Sequence, residues 1–379
     1  MGHLSYTTAG ESHGSCLLAR IEGLPAAFRV PGDLIDEMLR RRQGGYGRSE
    51  RQQLEVDRAE ILTGVLRGET IGSPLVLRIR NRDHRIDTAP PLHRPRPGHA
   101  DLAGALKWLT DDCRPVLERA SARETAARTA AGALAKGLLA EFGIRVAGFV
   151  VEIGGIPASV PEDLPLEQLV QHRDASAVYC PDTAVEQSMK EAIDAAREAG
   201  DSLGGVFEVR ATRLPPGLGS CAQIEERLDS RLAAAVMGIQ AVKGVEIGLG
   251  FAAAARRGSQ VHDEIFYDES TRREATRGLR RGSNRAGGLE GGMTNGEPLV
   301  IRGAKKPIST LACPLRTVDL RTKEPAESAY ERSDVCAVPA ASVIAEAVVA
   351  FELARAFLER FGGDTLTETR ERFAAEMRR

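Results

Sequence analysis

Apolar residues recur at helical spacing in four long stretches of the chain. Residues 121–142, SARETAARTAAGALAKGLLAEF, carry a broad Ala/Leu face and stop at Gly143. Ser121 with Glu124 three positions on has the spacing of a capping box, so this helix is expected to start at Ser121. Residues 183–198 read as a second helix, with Asp182 as N-cap and Gly200 beyond its end. A third covers 223–242, ending before Gly244, and a fourth covers 339–360, with Pro339 in its first turn and Gly362 and Gly363 as its stop. A shorter helix is expected over 32–41.

Between these lie short apolar runs bounded by Gly or Pro: 16–22, 59–67, 73–80, 144–153, 204–213, 244–251 and 297–303. They do not alternate one-to-one with helices. The pair 59–67 and 73–80, separated by a Gly/Pro turn, predicts antiparallel pairing. The pattern therefore predicts an α+β fold rather than a doubly wound parallel sheet. No low-complexity linker divides the chain, so one domain spanning 1–379 is expected. Segments 81–99 and 253–296 are long, polar and rich in Gly and Arg; aperiodic loops of that length are usually functional or disordered.

Composition narrows the function. The 379 residues carry 51 basic and 53 acidic side chains, a net charge of −2, which argues against a nucleic-acid binder. Seven of the basic residues are Lys, leaving 44 Arg against 10 Phe, 5 Tyr and 1 Trp. That surplus fits either a compositional bias of the genome or a site built from forked, permanently charged donors. No apolar run of about 18 residues is present, so no membrane span is expected. The opening MGHLSYTTAGESHG lacks an apolar export segment, and six scattered Cys form no C-x-x-C pair, so a cytoplasmic protein without a metal site is expected.

Six blocks carry candidate chemistry. Gly10-Glu11-Ser12-His13-Gly14 precedes the first strand and offers a close backbone approach and a proton donor in His13; a plain turn with a structural His reads equally well. Arg40 to Arg42 run into a Gly loop holding Arg48 and Arg51. Arg40 to Arg42 are explained by the helix dipole, but Arg48 and Arg51 suit a polyanionic small molecule. Arg94-Pro95-Arg96-Pro97-Gly98-His99 stiffens the approach to a helix beginning near Asp101. Arg119, Ala120, Ser121 and Arg123 surround a helix N-terminus, a ready anion site. The glycine-rich run 283–296, containing Gly291, leads towards Lys306-Pro307-Ile308-Ser309-Thr310 and matches neither a Rossmann nor a P-loop pattern. Glu331-Arg332-Ser333-Asp334 enters the last long helix, where capping is the competing reading.

Together these blocks resemble the chorismate synthase family, from about residue 3 to residue 362. Gly-Glu-Ser-His-Gly at 10–14, Ser-Ala-Arg-Glu-Thr at 121–125 and Arg-Ser-Asp at 332–334 look like that family's signatures. The resemblance implies helices sandwiched between antiparallel sheets, a homotetramer and the anti-1,4-elimination of phosphate from 5-enolpyruvylshikimate 3-phosphate to give chorismate. This closes the shikimate pathway to aromatic amino acids. It also implies dependence on reduced FMN, supplied here by an external reductant since no nicotinamide motif is visible, although some members use NADPH themselves. By resemblance His13 is the acid near the departing phosphate, His99 adjoins the flavin, and Asp334 is the carboxylate working with flavin N5. Arg42, Arg48, Arg51, Arg96, Arg123 and Arg332 resemble the substrate-binding set. Arg119, Ala120, Ser121, Gln240, Ala241, Gly291, Lys306, Pro307, Ile308, Ser309, Thr310 and Arg332 resemble the flavin contacts. Two other readings stand beside it. A non-catalytic flavin- or phosphometabolite-binding protein is disfavoured by the intact His13, His99 and Asp334. A Ser/His hydrolase is disfavoured by the missing G-x-S-x-G elbow.

Overall fold

Two antiparallel sheets enclose a double layer of helices. A computed structural model describes residues 3–49, 56–272, 274–331 and 333–377. The first sheet holds β1 (Ser5–Ala9), β2 (Cys16–Glu22), β3 (Ala59–Thr63) and β4 (Leu75–Arg80) in the order β1-β2-β4-β3. The predicted pairing of 59–67 with 73–80 is present, with Ala59 opposite Ile79. The second sheet holds β5 (Arg145–Ile153), β6 (Ile156–Pro157), β7 (Gly205–Thr212), β8 (Val242–Ile247) and β9 (Leu299–Lys305) in the order β8-β9-β7-β5-β6.

The helices are α1 (Gly32–Gln43), α2 (Asp101–Lys107), α3 (Arg114–Ala120), α4 (Thr125–Ala140), α5 (Leu166–Ala175), α6 (Glu186–Glu198), α7 (Leu228–Met237), α8 (Val338–Phe361) and α9 (Leu366–Met377). Helix α4 packs on β2 and β4, α8 packs on β5 and β7, and the two helices pack on each other, with α1 against both. This is the expected α+β sandwich. Among the described residues no helix is long and apolar enough to cross a membrane.

Small side chains set the spacing of the layers. Ala126, Ala127, Ala130, Ala131 and Ala133 of α4 and Ala345, Ala347, Ala350 and Ala354 of α8 are all fully buried. At Gly132 an added Cβ would lie 2.2 Å from the Ala347 carbonyl oxygen, so the backbones meet there directly. Gly148 of β5 stands in the same relation to the Ser342 carbonyl, also at 2.2 Å.

Several boundaries differ from expectation. Ser121 does cap, accepting from the Arg123 N–H at 3.3 Å, but the chain first makes a short 3-10 turn over Ala122–Glu124. The Glu124 side chain does not close a capping box; it accepts from Thr8, Arg128 and Gln240. Helix α6 starts at Glu186, because Asp182 caps a turn through the Ala184 N–H. Helix α7 covers only half of 223–242: Gly238 ends it, and Ala241 has φ 67°.

Candidate active site

A cavity of about 1050 Å³ opens where the first sheet's loops meet the N-terminus of α8 and the end of β9. It is larger than a single small ligand requires. Five of the six sequence blocks converge on it. It is lined by His13, His99 and Asp334, by Arg42, Arg48, Arg96 and Arg123, and by Ala120, Ser121, Gln240, Ala241, Lys306, Ile308, Ser309 and Thr310.

Of the remaining candidates, three described ones do not line the cavity. Arg119 is exposed, and donates to the carbonyls of Gly10 at 3.0 Å and Thr8 at 3.1 Å. Pro307 is exposed and does not line the cavity. Gly291 is exposed at the turn of the Leu289–Glu290 and Met293–Thr294 hairpin, and nothing in 253–296 lines the cavity. Arg51 and Arg332 lie outside the described residues.

His13 is buried and held from one side by a carboxylate. Glu118 on α3 sits 2.9 Å from His13 Nδ1 and accepts the His13 backbone N–H at 2.8 Å. A carboxylate at Nδ1 fixes that nitrogen as the donor and leaves Nε2 for chemistry. Asp83 stands 3.8 Å from Nε2. The hydrogen bonds from His13 hold the Glu118 carboxyl below the usual carboxylate range against the opposing effect of burial, which is the largest single influence. The Gly10–Gly14 turn is pinned by Asn81, whose amide donates to the carbonyls of Glu11, Ser12 and Gly14. Arg123 in turn donates to the Asn81 side-chain oxygen at 2.8 Å.

His99 follows the same design. Its Nδ1 is hydrogen-bonded to Asp101, which is fully buried, and Arg96 forks onto the same carboxylate at 2.8 and 3.0 Å. Arg96 also reaches the Thr310 hydroxyl at 3.0 Å. Burial acts most strongly on Asp101 and opposes ionisation, but hydrogen bonds from His99 and Arg96 override it and hold the carboxyl far below its usual range.

Arg42 and Arg123 share one buried carboxylate, Asp57, each at 2.7 Å. Two guanidiniums on one carboxylate leave a buried positive charge. Burial, with Arg123 as a like charge beside it, holds Arg42 below the ordinary arginine range, while Asp57 works the other way. Arg42 Nε, buried, has no acceptor among the described residues. Arg48 pairs with Asp334 at 2.5 Å, and Asp334 also accepts the Ser49 N–H at 2.7 Å. Arg82, Arg85, Lys305 and Lys306 add four cations to the lining, and the acidic lining residues are Asp83, Glu331 and Asp334. The excess favours a polyanionic occupant.

One buried polar atom tests the fit of a flavin. The Gln240 amide nitrogen donates to Glu124 at 3.3 Å, which leaves Gln240 Oε1 buried with no donor among the described residues. A flavin's ring N–H and ribityl hydroxyls are donors of the kind such an acceptor takes. Beside it Lys306 ties its loop to the Gly98 carbonyl at 2.8 Å, bringing 306–310 beside His99. The residues present fit a flavin.

Residues 4–358 match the family model described as chorismate synthase. The chorismate synthase of Desulforamulus reducens is 55% identical over 381 residues, covering 97% of each chain. That of Geobacter sulfurreducens is 57% identical over 385 residues, covering 98% of this chain and 97% of its own.

The chain belongs to the chorismate synthase family.

A crystal structure of chorismate synthase superposes with a TM-score of 0.81 at 43% identity, covering 100% of this chain and 98% of the other. As a member of that family, the chain is an enzyme of the lyase type. Sequence reasoning missed Glu118, Asp101, Asp57, Asn81 and Lys305. Asp101 stands two residues from His99, and Glu118 abuts Arg119, so both lay inside or beside blocks already singled out. Asp57 and Asn81 carried no local signal; each acts through arginines far away in the chain.

Proposed function

We propose that this chain converts 5-enolpyruvylshikimate 3-phosphate to chorismate and phosphate by 1,4-elimination with reduced FMN bound in the same cavity. The observation that supports this most directly is the gathering of His13, His99 and Asp334 with four arginines around one space roomy enough for two ligands. The substrate carries a phosphate and two carboxylates, which match forked donors that are always charged. Reduced flavin, when bound, lends electron density to the reacting ring and offers N5 as a proton acceptor.

The chain's own groups do the rest. Arg42 and Arg123 bring the surplus charge of the Asp57 cluster to the anion, so binding relieves a buried imbalance. His13, oriented by Glu118, holds a proton on Nε2 for the departing phosphate, which lowers the charge developing on it. Arg48 is shared between Asp334 and the incoming substrate. As it turns to the substrate, Asp334 loses a counter-ion and becomes the better proton acceptor. His99 and Gln240 meet the flavin, with Ser309 and Thr310 beside them. The enzyme works in the cytoplasm as a homotetramer with an outside source of reduced flavin.

The test separates binding from turnover. His13→Ala and Asp334→Ala are expected to lower kcat at least 100-fold, in the range for a proton-transfer group, while substrate Kd changes less than tenfold. Loss of affinity with kcat retained contradicts the assigned roles.

A further inference from the structure

Lys305, the last residue of β9, is a cation with no counter-ion among the described residues. It is 9% exposed and lines the cavity. Its ammonium has three N–H donors, and the structure gives it one acceptor, the Gln240 carbonyl at 2.9 Å. No carboxylate among the described residues forms an ion pair with it. Asp334 lies close enough to be felt, but its two oxygens are taken by Arg48 and the Ser49 N–H. A buried ammonium without a partner is expensive, and a fold keeps one where a ligand completes it.

The charged and titratable groups facing Lys305 are Arg48 from the loop after α1, Asp334 and Cys336 from the segment entering α8, and Lys306 beside it. Burial first, and the Arg48 guanidinium second, push the Lys305 ammonium down to about 8; Cys336 and Asp334 oppose this weakly. The neighbouring Gln240 also carries the buried, donor-less Oε1. Lys305 thus holds the backbone carbonyl of the residue whose own side-chain oxygen lacks a donor.

We propose that Lys305 is a ligand-binding residue of this cavity, its ammonium donating to an anionic atom of the bound flavin or of the bound substrate. This rests on the two-ligand reading above. An arriving anion restores the ammonium towards the ordinary lysine range, so binding at alkaline pH draws a proton onto the protein.

Calorimetric titration at pH 9, in two buffers of different ionisation enthalpy, reads that proton. The intact protein is titrated anaerobically with reduced FMN, and separately with 5-enolpyruvylshikimate 3-phosphate. At pH 9 the Cys336 thiol, pushed up to about 11 by burial, stays protonated. Lys306 is also lowered, by burial and Lys243, so variants decide between the two lysines. The expected result is uptake of about half a proton or more with one of the two ligands, which identifies the anion's source. Lys305→Met loses that uptake and binds the same ligand at least ten-fold more weakly. Lys305→Arg stays charged, takes up no proton and binds within about three-fold of the parent. The free Lys305→Met protein melts no lower than the parent, because a lone buried cation has been replaced by an apolar side chain.

Uptake that persists in Lys305→Met overturns the proposal, as does unchanged binding of both ligands. A lower melting temperature with binding intact does so too, by making Lys305 a structural prop. Binding by the parent without proton uptake contradicts the role of Lys305 alone. Failure of the parent to bind either ligand contradicts the proposed function itself.

Discussion

Glu118 is the residue on which the behaviour of His13 turns. Its two oxygens take the ring Nδ1–H and the backbone N–H of His13, whereas an amide is uncharged and replaces one of those acceptor oxygens with a donor NH2. Glu118→Gln is therefore expected to lower kcat about ten-fold or more with substrate affinity nearly unchanged, measured by single-turnover kinetics beside equilibrium binding. Equal losses in affinity, with kcat intact, would place Glu118 in the scaffold alone. Asp57 gives a second prediction. Asp57→Asn leaves Arg42 and Arg123 buried on a neutral partner, which should destabilise the free protein by about 3–5 kcal/mol in urea unfolding. Phosphate or sulfate should recover part of that loss, because an anion replaces the missing charge. At this scale the residue types that line the cavity were legible in the motifs. Their carboxylate partners were less so, since a buried Asp is read from what surrounds it, and those surroundings come from distant segments.

At the scale of elements, long periodic segments were the legible ones. Helix α8 was visible from a run of 22 residues with Pro339 at one end and Gly362 at the other, and it forms over Val338–Phe361. Strand β2 forms over the very span 16–22. The elements missed were β1, β6, α3, α5 and α9, which have little pattern of their own. Strand β1 reads Ser-Tyr-Thr-Thr-Ala and is anchored by Tyr6 against Phe351, 4.6 Å between ring centroids. Helix α9 is largely polar and docks through Phe373 onto Phe142, Phe357 and Phe361. Tertiary contacts, rather than periodicity, stabilise both. The contact between α4 and α8 gives the prediction at this scale. Gly132→Ala forces the two backbones apart and should destabilise the protein by about 1–3 kcal/mol, read as a lower urea midpoint. An unchanged midpoint would mean that the layers can separate freely at that crossing.

For the whole molecule, near-neutral net charge conceals a sorted interior. Asp57, Glu118, Glu124 and Glu346 are each held below the usual carboxylate range by cationic or hydrogen-bonding partners, against burial. Glu346 is fully buried among Arg41, Lys136 and Arg173. A depressed carboxyl contributes stability that is complete above its unfolded value and disappears as pH falls through its folded one. The urea midpoint should therefore be level from pH 7 to about 5 and fall steeply below about pH 4, where unfolded carboxylates take protons that the folded ones refuse. A midpoint unchanged down to pH 3 would contradict that arrangement. The antiparallel α+β class was legible because strand runs and helices failed to alternate. The layer order was not, because it depends on which Ala-rich faces meet. The arginine surplus resolves in the same way: composition alone leaves it ambiguous, while position brings Arg42, Arg48, Arg96 and Arg123 to one cavity.

The central claim is that this cavity carries out a phosphate elimination with no net oxidation or reduction. Purified protein mixed anaerobically with reduced FMN and 5-enolpyruvylshikimate 3-phosphate, followed for phosphate, chorismate and flavin absorbance together, tests it most directly. The expected result is one phosphate released for each chorismate formed over many turnovers, with the flavin still reduced at the end. Flavin and substrate both bound without phosphate release, or flavin consumed in step with product, would contradict it.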